Sequence, residues 1–158
     1  MARYMIMGLL FYFAFAKAIT AQALPTKKYK VQTIAFYNLE NLFDLEDDTT
    51  INDESSPIME MNEGVREEVY ASKLTNMARV IRKIGFEKSG SAPAILGVCE
   101  AENRQVLEDL VNHPLLREYD YGIEHFESPD RRGIDTGFLY RKRDFKVLNS
   151  THKELLIY

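Results

Sequence analysis

The chain has 158 residues, a formal net charge of −4 and one cysteine, Cys99. This length corresponds to one domain of ordinary size or to a piece of a larger one. The acidic total implies no basic face, which argues mildly against tight non-specific DNA binding. A single cysteine excludes an internal disulfide bridge. Because Cys99 lies at the end of an apolar strand, the sequence predicts a buried thiol there rather than a catalytic one.

The first 23 residues have the pattern of a secretory signal peptide. Arg3 supplies a short positive region, 5–16 is an apolar run, and Ala21-Gln22-Ala23 is a small-x-small cleavage site. The alternative is a membrane anchor, but the apolar run is shorter than the roughly 20 residues that a spanning helix needs. The sequence therefore predicts a signal peptide at 1–23, a secreted or periplasmic location, no stable membrane anchor, and a domain in 24–158.

The mature part begins with a strand, an acidic loop and a helix. Apolar residues lie on both faces of 30–37, which predicts a strand buried on both sides. The acidic segment 44–63 has no apolar period, which favours a solvated surface loop over a metal site. Apolar residues recur at steps of four and three over 65–84. This spacing predicts an amphipathic helix whose C-terminal glycine is Gly85.

The rest of the chain predicts a second strand and helix, followed by several strands. Pro93 opens a strand at 94–98, and a helix at 102–112 ends before Pro114, with His113 as its C-terminal residue. The further strands are predicted at 121–126, 133–141, 145–148 and 154–158. This order predicts an α/β layered fold with helices packed on a sheet.

Two of the predicted strands run directly into polar residues. A carboxylate such as Glu100, placed after a buried strand, costs free energy unless it is paired, hydrogen-bonded or bound to a metal. Ligands of α/β sheets gather at the carboxyl ends of strands, so we expect Glu100 and Asn38 to lie side by side. Glu40 projects on the same side as Asn38 if the first strand persists. The alternatives are a helix-capping role for Glu100 and a turn at Asn38.

A third polar segment spans Asp130 to Asp135. The guanidinium groups of Arg131 and Arg132 match the geometry of phosphate, and Asp135 is the one charge that enters the following strand. The alternative is a charged turn before a strand. His125 precedes this turn by five residues and is placed to reach the site. The sequence contains neither a Gly-x-Ser-x-Gly turn nor a Gly-x-x-x-x-Gly-Lys phosphate loop.

Three segments, in this order, carry a resemblance to a known family. They are Phe-Tyr-Asn-Leu-Glu-Asn-Leu-Phe-Asp at 36–44, Ile-Leu-Gly-Val-Cys-Glu-Ala-Glu-Asn at 95–103, and Ser-Pro-Asp-Arg-Arg-Gly-Ile-Asp-Thr-Gly-Phe-Leu-Tyr-Arg at 128–141. With them the chain resembles the endonuclease/exonuclease/phosphatase superfamily, whose fold is that of deoxyribonuclease I. The likeness covers the chain from about Lys30 onward and is closest to exported bacterial members.

The resemblance implies a four-layer α/β sandwich, with two facing sheets flanked by helices, and hydrolysis of phosphate esters with Mg²⁺, or with Mn²⁺ or Ca²⁺. It implies that Glu100 and Asn38 are catalytic and bind the metal, with Glu40 near it. Asn38 and Arg132 would bind the phosphate, and Asp135 would line the site as a further catalytic residue. We expect a monomer that acts on a phosphate ester, with nucleic acid as the first candidate.

The chain also departs from the family pattern. The family's later motifs, an Asn-His pair, Gly-Asp-x-Asn and a final Ser-Asp-His, do not follow the third segment. We therefore expect an incomplete sandwich, the N-terminal part of the domain, that is inactive by itself. For the complete protein a nuclease-like phosphodiesterase is predicted. The alternatives are a phosphatase or a sphingomyelinase-type lipid phosphodiesterase, and a truncated half-domain without catalysis.

Overall fold

The structure is a computed structural model that describes residues 28–46 and 56–153. The chain divides into two compact units, 1–30 and 31–158, and the second contains every helix and strand described below. The predicted signal peptide at 1–23 and the predicted strand at 154–158 lie outside the described residues, as does the middle of the acidic segment, 47–55.

The described part contains four strands and three α-helices. The strands are β1 Ile34–Leu42, β2 Ile95–Ala101, β3 Tyr121–Phe126 and β4 Asp135–Arg141, and the helices are α1 Glu63–Lys83, α2 Phe86–Ser89 and α3 Arg104–Asn112. A short 3₁₀ helix, Arg117–Tyr119, precedes β3. This is a mixed α/β fold, as the order of predicted elements indicated. None of the helices described here is long and apolar enough to cross a membrane.

The four strands form one sheet in the order β1-β2-β4-β3. β1 and β2 are parallel, whereas β4 is antiparallel to both of its neighbours. A parallel pair needs a crossover connection, which α1 and α2 supply between β1 and β2. The register places Asn38 opposite Cys99, and Cys99 opposite Thr136. The carboxyl ends of β1 and β2 therefore meet at one edge of the sheet.

One face of the sheet packs against α1 and α3. The predicted stripe of α1 is buried at Tyr70, Leu74, Met77 and Ile81, together with Leu96 and Leu139 of the sheet. Tyr70 also joins the two helices, because its hydroxyl donates to Asp109 Oδ2 at 2.8 Å. Burial and the Asp109 carboxylate raise the pKa of this phenol, so it remains a neutral donor.

The opposite face of the sheet is exposed. The exposed fraction is 85% for Phe36, 67% for Ile34 and 40% for Phe138. The ring of Phe36 lies over Gly97 of the neighbouring strand, where a Cβ atom would clash with it. The prediction that the first strand is buried on both sides is therefore wrong: among the described residues, helices cover one face of the sheet, and the face that carries Ile34 and Phe36 is exposed.

Several element boundaries differ from the predicted ones. β1 begins later than 30–37 and continues through Asn38 to Leu42, and the residues of the predicted strand 145–148 form no strand. Cys99 is half-buried, not buried, because it lies on the uncovered face beside Asn38. Gly85 adopts the left-handed conformation that a helix C-terminal glycine provides, with φ of 68°. His113 is the C-cap of α3, as predicted.

Candidate active site

The carboxyl ends of β1 and β2 bring Asn38 and Glu100 into contact. Asn38 lies opposite Cys99 in the parallel register, and Cys99 directly precedes Glu100 in the chain. The Nδ2 group of Asn38 donates a hydrogen bond of 2.9 Å to Oε1 of Glu100. Asn38 is exposed and Glu100 is half-buried, so both side chains remain accessible from solvent.

The backbone at this edge is irregular in both strands. Glu40, Asn41 and Glu100 have positive φ angles of 49°, 56° and 61°. The register of β1 with β2 shifts between Asn38 and Leu42, and that of β2 with β4 shifts between Cys99 and Ala101. A left-handed residue other than glycine costs roughly 1–2 kcal/mol. Such residues and bulges concentrate at functional sites, where they re-aim side chains.

Main-chain N–H groups complete the orientation of the pair. The N–H group of Glu40 donates to Oδ1 of Asn38 at 2.6 Å, and the N–H group of Asn41 donates to Oε2 of Glu100 at 3.1 Å. Each oxygen of Glu100 thus accepts one N–H group. A carboxylate offers about four lone-pair sites, so Glu100 retains acceptor capacity toward a cation.

The helix-capping alternative for Glu100 does not fit these contacts. The N-cap of α3 is Asn103, whose Oδ1 accepts a hydrogen bond of 3.1 Å from the N–H group of Val106. The predicted helix at 102–112 therefore begins two residues later, at Arg104. Glu102 is buried and accepts a hydrogen bond of 2.6 Å from the N–H group of Asp44. Asp44 in turn accepts from Asn103 Nδ2 at 2.9 Å, which ties the segment after β1 to the start of α3.

A lysine of α1 reaches the same edge. Nζ of Lys73 donates to the carbonyl oxygens of Glu40 and Asn41 at 2.7 Å and 2.6 Å. Burial of the ammonium group lowers the pKa of Lys73, and the carboxylates of Glu40 and Glu100 oppose this change. Nothing in the sequence singles out Lys73, because it stands at the flank of the apolar stripe, where a lysine is ordinary on an amphipathic helix.

The hairpin between β3 and β4 carries the third predicted segment. Asp135 is buried and lies opposite Ala101 in the sheet. Its Oδ2 pairs with Nε2 of His125 at 2.9 Å, and its Oδ1 accepts a hydrogen bond of 2.6 Å from the N–H group of Ser128. These contacts hold the connection between the two strands. Neither of them joins Asp135 or His125 to Asn38 or Glu100.

Arg132 lies at the tip of this hairpin. Its guanidinium pairs with Asp130 at 3.0 Å. The hydrogen bond from Arg132 holds the pKa of Asp130 below its usual value of 3.8. The same bond, with a smaller contribution from the charge of Glu100, raises the pKa of Arg132. Arg131 is exposed beside it.

The donor set at this edge fits a hard cation with few protein ligands. In the described residues, no group of three or more His, Cys, Asp or Glu side chains is arranged to hold a metal. Mg²⁺, however, is usually bound by one or two carboxylates together with water and substrate phosphates. Glu100 supplies such a carboxylate, and Asn38 Oδ1 is an amide oxygen beside it. Glu40 is exposed, and its main-chain N–H and carbonyl groups form the contacts already described.

The family is decided by a comparison with protein-family models. The model described as "Endonuclease/Exonuclease/phosphatase family" matches residues 33–157, which include every described helix and strand. The chain belongs to the endonuclease/exonuclease/phosphatase family. This membership was predicted from the three segments at 36–44, 95–103 and 128–141. Comparisons with curated proteins and with solved structures give no match.

Membership of the endonuclease/exonuclease/phosphatase family indicates hydrolysis of phosphate esters. Enzymes of this family typically use divalent metal ions, which agrees with the oxygen donors of Glu100 and Asn38. Two of the groups at this edge are main-chain N–H groups, at Glu40 and Asn41, and no side-chain motif identifies them. One feature of the sequence could have suggested Asn41, since asparagine is several-fold enriched among non-glycine residues with positive φ.

Proposed function

We propose that this chain carries the metal-binding and phosphate-orienting part of a divalent-metal-dependent phosphodiesterase of nuclease type. The observation that supports the proposal most is the carboxylate of Glu100, held by Asn38 Nδ2 and the N–H group of Asn41 at the carboxyl edge of the sheet. Both groups orient the carboxylate and leave part of its acceptor capacity open. Bound by Glu100 and Asn38, with Glu40 near it, Mg²⁺, Mn²⁺ or Ca²⁺ would supply Lewis-acid polarisation of a phosphoryl oxygen.

The other predicted site residues have separate roles in this proposal. Arg132 binds phosphate with its guanidinium after exchanging the Asp130 carboxylate for the substrate, since both are anions of similar geometry. Asp135 supports the site indirectly, because its hydrogen bond from Ser128 holds the conformation of the hairpin that carries Arg132. Nucleic acid is the proposed substrate. We also propose that the protein is exported and monomeric, and the signal-peptide pattern at 1–23 supports export.

The finer fold is part of the same proposal. A four-layer sandwich requires a second sheet on the uncovered face of the first. The apolar side chains exposed there, Phe36 and Ile34 above all, support such a layer, since an exposed apolar patch is a frequent interaction surface.

Cation binding and turnover call for separate tests. Binding needs only the groups of this edge, whereas turnover also needs a group that takes a proton from the attacking water. We expect calorimetry to detect Mn²⁺ binding to the chain, and Glu100→Ala to weaken it by at least about tenfold. Glu100→Ala or EDTA should also abolish any hydrolysis of plasmid DNA and of bis(p-nitrophenyl) phosphate.

Glu124→Ala is the matched control for both measurements. Glu124 lies on β3 of the same sheet and receives neither of the N–H groups that hold Glu100. Its substitution should leave cation binding and turnover unchanged. Wild-type Mn²⁺ affinity or wild-type turnover in Glu100→Ala would refute the assignment.

A further inference from the structure

The irregular part of β1 at Glu40 and Asn41, where the register with β2 shifts, is called here the Glu40–Asn41 turn, and its polar groups face two directions. Its two N–H groups face the site, where they donate to Asn38 Oδ1 and to Glu100 Oε2. Its two carbonyl groups accept from Nζ of Lys73 at 2.7 Å and 2.6 Å. One ammonium group therefore holds the far side of the same turn whose near side orients the predicted metal-binding pair.

This turn needs an external partner. Glu40 and Asn41 are consecutive non-glycine residues with φ of 49° and 56°, a conformation that persists only where the surroundings over-determine it. The regular ladder with β2 is interrupted between Asn38 and Leu42, so it does not fix this part of β1. Lys73 is placed to do so, because α1 is itself anchored by buried neighbours such as Leu74 and Met77.

We propose that Lys73 is a positioning residue, whose ammonium group holds the Glu40–Asn41 turn so that its N–H groups orient Asn38 and Glu100. This inference rests on the proposed function for its consequence, namely cation affinity and turnover. The contacts that carry it are independent of that function. Lys73 acts through the turn and is not assigned a contact with the substrate.

The distinguishing comparison uses three lysine substitutions. Lys73→Met removes the charge and the donors while keeping most of the side-chain length, and Lys73→Arg keeps both. Lys83→Met is the matched control, because Lys83 is an exposed lysine in the last turn of the same helix. Should Lys73→Met lose the circular dichroism of the folded protein, Lys73→Gln, which keeps a neutral donor, carries the same measurements.

The primary readout is hydrogen exchange of the Asn41 amide, followed by NMR in the full chain. We expect Lys73→Met to speed this exchange by about tenfold, because loss of the ammonium group lowers the cost of local opening. Lys73→Arg should stay near wild type, and Lys83→Met should equal it. Unchanged exchange in Lys73→Met would overturn the proposal. So would an Asn41 amide that exchanges in the wild type as fast as in an unfolded peptide.

The second readout is Mn²⁺ affinity, measured by calorimetry on the same proteins. Removal of a group that orients a metal ligand typically costs 10- to 100-fold in affinity, and we expect about tenfold for Lys73→Met. If Lys73 bound the substrate phosphate instead, Lys73→Met would raise KM for bis(p-nitrophenyl) phosphate and leave Mn²⁺ affinity unchanged. That result would also overturn the proposal. If the wild type neither binds Mn²⁺ nor hydrolyses these phosphodiesters, the proposed function fails, and the Asn41 exchange still decides the role of Lys73.

Discussion

Replacement of Glu100 by glutamine should destabilise the protein. Oε1 and Oε2 of Glu100 each accept an N–H group, from Asn38 and from Asn41. Glutamine has one carbonyl oxygen and one NH₂ group of the same size, so one of the two donors would face another donor. A carboxylate that faces other negative charges lowers the free energy of unfolding. The carboxylate of Glu100 instead accepts one N–H group at each of its oxygens. The expected sign is therefore a loss of stability.

The magnitude follows from these two contacts. A hydrogen bond to a charged group contributes about 1.5–3 kcal/mol, and a neutral one about 1 kcal/mol. Glu100→Gln loses one charge-assisted bond and weakens the other, while water reaches the freed donor because Glu100 is only half-buried. We expect the free energy of unfolding to fall by about 1–2 kcal/mol.

Urea denaturation followed by circular dichroism measures this change. With a slope of about 2 kcal/mol per M, the middle of the usual range for small proteins, the midpoint should fall by roughly 0.5–1 M. Glu124→Gln is the control, and its midpoint should stay at the wild-type value. An unchanged or raised midpoint in Glu100→Gln would show that Asn38 and the Asn41 N–H group do not hold this carboxylate in solution.

Three further substitutions test other contacts of the site and its support. Asp135→Asn should lower the free energy of unfolding by about 1–3 kcal/mol, because both oxygens of the buried Asp135 have partners, the Ser128 N–H group and His125 Nε2, and asparagine has only one oxygen; a wild-type melting temperature would contradict this. Asn103→Ala removes the N-cap of α3 and should cost about 1 kcal/mol by urea denaturation, whereas serine at this position should restore most of it. Arg132→Met should raise the pKa of Asp130 toward 3.8, as seen in an NMR titration. Because Arg132 lowers this pKa, the stability that the pair contributes is complete above pH 3.8 and is lost as the pH falls through the folded-state pKa. An Asp130 titration that changes neither with salt nor with Arg132→Met would refute the effect of Arg132 on this pKa.

The elements with a clear period were predicted well. The strand at 121–126 is found with the predicted bounds, and the stripe of α1 at Tyr70, Leu74, Met77 and Ile81 is buried. The contact between Asn38 and Glu100 also followed from a simple argument. Parallel neighbouring strands end at the same edge, so polar residues at their ends approach each other. These predictions depend on periodicity and on sheet geometry, which are both visible in a sequence.

The parts that were missed depend on long-range partners. Apolar residues such as Ile34 and Phe36 indicate a strand but do not say which of its faces is covered, and here the face that carries them is exposed. The pairing of His125 with Asp135 needs the register of the β3–β4 hairpin, in which Phe126 lies opposite Thr136. The left-handed conformation of Glu100 opposes the usual preference of its residue type, so no propensity predicts it.

The same geometry changes what the family pattern means at Glu40. The sequence resemblance predicts that a carboxylate at this position lies near a metal. In the structure the main chain of Glu40 already performs two tasks, since its N–H group orients Asn38 and its carbonyl group accepts from Lys73. Neither task depends on the identity of the side chain, provided that the residue tolerates a φ of 49°. Substitution of the exposed Glu40 carboxylate should therefore leave the orientation of Asn38 intact. Removal of the charge of Lys73 should disturb it. The residues that orient the Asn38–Glu100 pair are thus distributed over β1, β2 and α1, and the helix contributes through the backbone of the strand.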